Sequence, residues 1–217
     1  MSLADKIFDV QKQIADAARA AGRSPDAVTL LAVSKKVPAE RVREALAAGQ
    51  ALFGENYAQE LRDKAPEVPG ARWHYIGPLQ RNKVKYVVGV AELIHSVDSL
   101  ALVDEIAVRA DRVGVVQRCL VQVNVGREPQ KSGCAIEDVP ALVQAFAARP
   151  TVRCEGLMCI PPEGVPPRPF FDNLAQLARV ANLPTLSMGM SSDYVDAIAA
   201  GATIVRVGSA IFGARAT

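Results

Sequence analysis

The feature that most limits what this chain can fold into is a repeated change of hydrophobic period. Short apolar runs rich in β-branched residues recur eight times, at 28–34, 51–54, 73–76, 93–97, 118–125, 152–158, 185–188 and 203–207. Between them lie Ala-rich segments at 39–48, 57–64, 81–88, 99–112, 136–148, 170–181 and 193–200, in which apolar residues return at helical spacing. Several of these segments open on a cap or breaker, at Pro38, Asp98 and Ser192. Runs that are apolar on both faces and alternate strictly with helices predict a parallel sheet covered by helices. Eight strands favour closure into a single (β/α)8 barrel of the TIM type over an open doubly wound sheet. At 217 residues the barrel stands near the small end of its range. Ile7, Val10, Ile14 and Ala17 share one helical face, so an extra amphipathic helix is expected at about 3–21, in the place of one missing after the last strand. No Pro/Gly-rich linker divides the chain, and 161–169 reads as a rigid loop after the sixth strand, so residues 1–217 are expected to form one domain.

Composition narrows the partners. Half the residues are hydrophobic, enough for a large core, and the formal net charge of +2 comes from lysines and arginines scattered among acids. Without a basic tract, neither nucleic acid nor an anionic membrane surface is an expected partner. The four cysteines, Cys119, Cys134, Cys154 and Cys159, form no Cys-x-x-Cys pair, and His74 and His95 do not fall at ligand spacing with them, so no metal is expected. Cys119 and Cys154 sit inside apolar runs as small hydrophobes, which points to a reducing, cytoplasmic setting. The N-terminus has no cleavable apolar core, and no apolar stretch approaches the roughly 20 residues that cross a bilayer.

Chemistry concentrates where the strands should end. Lys35 closes the first run, where a primary amine can condense with an aldehyde; taken alone it reads as a solvated lysine at a strand end. In a barrel of this kind the loops after strands 7 and 8 commonly hold a phosphate. Here the first of these, LSMGMSSD, brings Ser191 to a helix start, and the second, IVRVGSAIFG, brings Gly208 and Ser209 to a turn. Each is an ordinary cap or turn by itself; their joint position favours a phosphate, and with Lys35 an aldehyde cofactor that carries one, pyridoxal phosphate. Arg206 shares strand parity with Ile204 and Gly208, so if Gly208 faces the site Arg206 points into the barrel, where it needs an acceptor: a pyridine nitrogen or a structural carboxylate. Parity groups Lys35 with Leu31 and Val33 and sets Lys36 on the opposite side, without saying which side is inward.

Ordered motifs then cover nearly the whole chain: AVSK at 32–35, FGENYAQE at 53–60, WHYIGPLQRNK at 73–83, VDSL at 97–100, and QVNVGREPQKSG, GLMCIP, LSMGMSSD and VRVGSAIFG beyond. In these the chain resembles the pyridoxal phosphate homeostasis proteins, small relatives of the N-terminal barrel of alanine racemase. The resemblance implies a (β/α)8 barrel and pyridoxal 5'-phosphate bound as an internal aldimine. It makes Lys35 the Schiff-base lysine, Ser191, Gly208 and Ser209 the phosphate cradle, and Arg206 the partner of the pyridine nitrogen, with Asn56 and Lys131 near the ring. It implies a role in cofactor homeostasis, with PLP-dependent apo-enzymes as recipients and a monomer as the acting species.

An amino-acid racemase or another fold-type III PLP enzyme is the alternative, and a phosphosugar barrel using Lys35 on a carbonyl substrate is a third. A guanidinium facing the pyridine nitrogen leaves the ring a weaker electron sink and disfavours transamination. Racemisation requires an acid or base on each face, and racemases take a tyrosine for the second face from a further β-rich domain. After Gly213 only four residues remain, so the racemase machinery is expected to be incomplete unless Tyr57 or His74 reaches the opposite face.

Overall fold

A computed structural model describes residues 1–213. The eight strands are β1 (Thr29–Val33), β2 (Leu52–Glu55), β3 (Arg72–Tyr75), β4 (Leu93–Val97), β5 (Gln117–Gln122), β6 (Val152–Met158), β7 (Thr185–Ser187) and β8 (Ile204–Val207). Each pairs in parallel with the next, and β8 pairs with β1 to close the barrel. The helical layer consists of α1 (Leu3–Ala20), α2 (Ala39–Ala47), α3 (Ala58–Lys64), α4 (Leu100–Val113), α5 (Val139–Ala147), α6 (Arg168–Val180), α7 (Tyr194–Ala199) and α8 (Ser209–Phe212). Among the described residues no helix is long and apolar enough to cross a membrane.

Local chemistry explains the ends of these elements. Ser2 and Asp5 form a reciprocal capping box at the start of α1, whose Leu3, Ile7, Val10, Ile14 and Ala18 are buried. As expected, α1 fills the place beside the last strand, lying against α2, α7 and α8. The Tyr194 hydroxyl and Gln13 Oε1 fasten it at 2.6 Å, and Arg23 donates to the Ile198 carbonyl at 2.8 Å. Gly114, at φ 71°, stops α4 in the left-handed conformation.

Two apolar regions hold the fold. The larger lies between strands and helices; the smaller, made of Leu31, Leu52, Leu93, Leu120, Met158 and Ile204, fills the barrel. The second settles the parity question left open by the sequence. Leu31 faces inward, so Lys35 two pairs further on leaves the same side, as Arg206 does above Ile204. Ala32, Phe53 and Val205 face the helices.

Three local expectations are corrected. The fifth strand ends at Gln122 and not at 125, because the chain folds back: the Asn124 N–H donates to the Cys134 carbonyl, and the Asn124 side chain accepts from and donates to the Glu128 backbone. The helix expected at 81–88 is a 3-10 helix, Arg81–Tyr86. Only Val84 of it is buried, and the buried Val87 and Val88 follow past its end, so the segment makes a short tight turn and not a packed α-helix. After β8, what read as a turn at Gly208 and Ser209 opens the short helix α8.

Candidate ligand site at the carboxyl end of the barrel

A cavity of about 380 Å³ opens at the carboxyl ends of the strands. Its wall brings together Lys35, Asn56, Ser191, Arg206, Gly208 and Ser209, with apolar surface from Ile76, Ile160 and Phe212. Six of the seven residues singled out in the sequence thus meet at one place. The seventh, Lys131, is not in the wall: its Nζ lies 2.7 Å from Glu128 Oε2 and 3.2 Å from the carbonyl of Pro161, just beyond the rim residue Ile160.

Close backbone approaches shape the wall. A Cβ at Gly208 would stand 3.2 Å from the Val33 carbonyl, so β8 and β1 meet tightly where the chain turns into α8. At Gly77 a Cβ would come within 2.0 Å of the Asn56 carbonyl, a clash no side chain could relieve. The Tyr75 hydroxyl shares its one hydrogen between that carbonyl, at 3.2 Å, and the carbonyl of Pro78, at 3.0 Å, and so backs Asn56. Its side-chain Oδ1 is buried without a hydrogen-bond partner among the described residues.

The loops after β7 and β8 converge. Ser209 Oγ lies 3.3 Å from Ser191 Oγ, and the Asp193 carboxylate ties the first loop by accepting from the Met190 N–H at 2.6 Å. The first N–H groups of a helix have no intrahelical acceptor, so the start of α8 adds donors beside the two hydroxyls.

Arg206 is buried within the barrel, and its guanidinium is held by neutral acceptors. Nη1 donates to Ser187 Oγ at 2.8 Å and Nη2 to the Cys159 carbonyl at 3.0 Å. No carboxylate pairs with it among the described residues. Below it a polar column descends through the barrel: Ser187 Oγ lies 2.8 Å from His95 Nδ1, and His95 Nε2 lies 2.9 Å from His74 Nδ1. A guanidinium can only donate. In one assignment that satisfies every contact, Ser187 accepts from Arg206 and donates to His95 Nδ1, His95 carries its hydrogen on Nε2 and donates to His74, and His74 carries its own on Nε2. Both histidines are neutral in this arrangement. Burial lowers the His74 pKa to about 3, and burial first, then His74 and Arg206, holds His95 well below its ordinary value. Burial also pushes the Cys159 thiol up to about 12 despite the nearby Arg206, so it is not a nucleophile at neutral pH.

Ser187, His95 and His74 were missed in the sequence as a unit. The signal was present in parity: His74 shares the side of Ile76, His95 that of Leu93, and Ser187 that of Thr185, all inward-facing. Neither Tyr57, which is exposed, nor His74, toward the amino end, belongs to the cavity wall.

The residues present suit an aldehyde-bearing phosphorylated pyridine. The wall holds an amine, paired hydroxyls and, among the described residues, a cation without a carboxylate partner and an unsatisfied amide oxygen, in a space within the range of about 300–1,000 Å³ common for small-molecule sites.

Comparison with known proteins agrees with this geometry. Residues 9–216 match the family model of the alanine racemase N-terminal domain. The pyridoxal phosphate homeostasis protein of Pseudomonas aeruginosa is 46% identical, covering 99% of this chain and 96% of that protein. Its counterpart in Escherichia coli K12 is 41% identical, over 98% of this chain and 97% of that one. Among solved structures, PipY of Synechococcus elongatus with PLP bound superposes with a TM-score of 0.85 at 36% identity, covering 98% of this chain and all of that one. With the barrel, the cavity and relatives matched over nearly the full length in agreement, the chain belongs to the pyridoxal phosphate homeostasis protein family, built on the alanine racemase N-terminal barrel.

Proposed function

We propose that this barrel binds pyridoxal 5'-phosphate in the carboxyl-end cavity, holds it through Lys35, and serves intracellular cofactor homeostasis and not amino-acid turnover. One observation carries the reading. Arg206, a buried cation without a carboxylate partner among the described residues, shares a cavity with a lysine and with the convergent hydroxyls of Ser191 and Ser209. Bound there, the cofactor supplies an electrophilic aldehyde and an electron-withdrawing ring.

The chain's own groups do the rest. Lys35, in the cavity wall, would hold the cofactor through its aldehyde, offering the primary amine that such a carbonyl takes up and that another amine could displace. Ser191 and Ser209 would hold the phosphate, with N–H groups at the start of α8 and Gly208 permitting the close approach. Arg206, fixed by Ser187 and Cys159, would offer its donor to the ring nitrogen, which next to a guanidinium would favour the unprotonated form. Asn56 offers its unsatisfied Oδ1 to a donor on the ring. Lys131 stands at the rim as an outer contact.

The racemase reading is weakened because no tyrosine, histidine, cysteine or carboxylate belongs to the described cavity wall, so an acid or base for the second face has no donor there. Recipients are PLP-dependent apo-enzymes, the acting species is a monomer of one domain, and a reducing cytoplasm suits the four free thiols. The test is deuterium exchange at the α-carbon of alanine and other amino acids with PLP-loaded protein, against Lys35→Ala. Exchange no faster than free PLP gives is expected. Rapid, Lys35-dependent exchange with racemisation would replace this reading by the racemase one.

A further inference from the structure

On the outer side of β1 and β2, facing the helices, three charged side chains gather behind Lys35. Lys64 of α3 and Glu55 at the end of β2 are buried, and their Nζ and Oε1 atoms stand 2.7 Å apart. Lys64 Nζ also meets Glu60 Oε1 at 2.7 Å and donates to the Ser34 carbonyl at 2.9 Å, so its three hydrogens have three acceptors. The Ser34 hydroxyl donates to Glu55 Oε1 at 2.6 Å, and the Lys36 N–H donates to Glu60 Oε1 at 2.7 Å.

These bonds grip the chain on both sides of one residue. Ser34 is held by its carbonyl and its hydroxyl, Lys36 by its N–H, and Lys35 lies between them. Lys36 adopts φ 60°, a left-handed conformation that is unfavourable for a residue with a Cβ. Buried ion pairs contribute little to stability for the desolvation they require, and their best-attested use is to specify one arrangement. Two costly features thus converge on the residues flanking Lys35, and the FGENYAQE motif, which supplies Glu55 and Glu60, has no other part in the cavity beyond Asn56.

We propose that Glu55, Glu60 and Lys64 are positioning residues that fix the backbone of the 34–36 turn and so set the angle at which Lys35 enters the cavity. The inference rests on the cofactor reading, because the reaction of Lys35 is what the angle serves. A near-attack geometry is sensitive to displacements on the scale a relaxed turn would produce.

The experiment separates attachment from cavity binding. PLP requires Lys35 to react, whereas 4-deoxypyridoxine 5'-phosphate lacks the aldehyde and reports on the phosphate and ring contacts alone. Purified full-length protein would be mixed with each, imine formation being followed by absorbance and the analogue's affinity by calorimetry. In Lys64→Met/Glu55→Gln, which removes both charges together, imine formation should slow about tenfold or more, while affinity for the analogue stays within about twofold. Should that variant fail to fold, Glu60→Leu leaves the Glu55–Lys64 pair intact and removes the acceptor that the Lys36 N–H shares with Lys64. It should slow attachment less, and adding Lys36→Gly, which accepts the left-handed turn without strain, should restore it. Unchanged imine formation, parallel loss of both ligands, or failure of Lys36→Gly to restore would overturn the proposal. Wild-type protein that bound neither ligand would remove the cofactor reading itself.

Discussion

The two ends of the barrel treat their arginines in opposite ways. At the amino end, Arg72 forks onto Glu92 with contacts of 2.8–3.0 Å and Arg118 onto Glu155 at 2.8 and 2.9 Å, both at the surface. At the carboxyl end, Arg206 is 4% exposed, and its described partners are a hydroxyl and a carbonyl. A paired surface arginine is a structural element. A buried one held by neutral acceptors retains a charge that water does not compensate, and an arriving ligand can satisfy it. By this comparison the carboxyl end is where a ligand belongs, even though a second cavity, of about 290 Å³, opens beside Arg72 and Arg118.

The largest effect expected is acid sensitivity arising between the two ends. His74 and His95 are neutral when folded but take up protons near pH 6.5 when unfolded, so their contribution to stability is full above 6.5 and is lost as pH falls through the folded value, about 3 for His74. Complete loss for His74 alone is on the order of 5 kcal/mol. Glu55 acts in the opposite sense. Burial, opposed by Lys64 and Ser34, raises its carboxyl above the ordinary value near 4.5, so it favours the fold below that value and less so as pH rises past it. One carboxyl cannot offset two histidines below pH 6, and denaturant unfolding should show stability falling steadily from pH 6.5 to 4. His74→Gln/His95→Gln should flatten that slope; an undiminished slope would place the acid sensitivity elsewhere.

Next in size is the contrast between arginines. Arg206→Met should weaken PLP binding by about 10- to 100-fold, the loss of a charge-assisted hydrogen bond. The thermal midpoint of the ligand-free protein should not fall, since a buried uncompensated charge is removed with it. Arg72→Met and Arg118→Met should do the reverse on a smaller scale, leaving affinity untouched and costing about 1 kcal/mol or less of stability. An affinity loss at Arg72 equal to that at Arg206 would erase the distinction between the ends.

The hydroxyls refine the picture further. Ser191→Ala and Ser209→Ala should each weaken retention by roughly 1.5 kcal/mol, up to about 3 where no water replaces the hydroxyl. The pair in combination should fall short of the sum, because the two oxygens are 3.3 Å apart and serve one group. Strict additivity, or no loss in titrations of PLP, would count against a shared cradle.

Much of this was legible in the sequence because barrel strands announce themselves by apolar runs, and their active ends by the polar residues that close each run. Lys35, Ser191, Arg206, Gly208 and Ser209 were found from their positions at or near the ends of such runs, and all line the cavity. Parity alone could not say whether Lys35 faced in or out; that required the interior cluster around Leu31 and Ile204. The polar column was hidden for a related reason. Ser187, His95 and His74 lie on strands far apart in sequence, and only closure of the barrel brings them in line beneath Arg206. The charged group behind Lys35 was obscured because Glu55 and Lys64 read as ordinary members of a strand end and a helix. Their burial depends on how α3 docks.

The central claim is that Lys35, which follows β1 and lines the cavity, carries the cofactor, while the exposed Lys36 is not in the described wall. Borohydride reduction of the PLP-loaded protein, with subsequent proteolysis and mass mapping, tests it most directly. The account predicts a single pyridoxyl group on Lys35, absent in Lys35→Ala. A group on Lys36 or Lys131, or one spread over several lysines in the native protein, would contradict it.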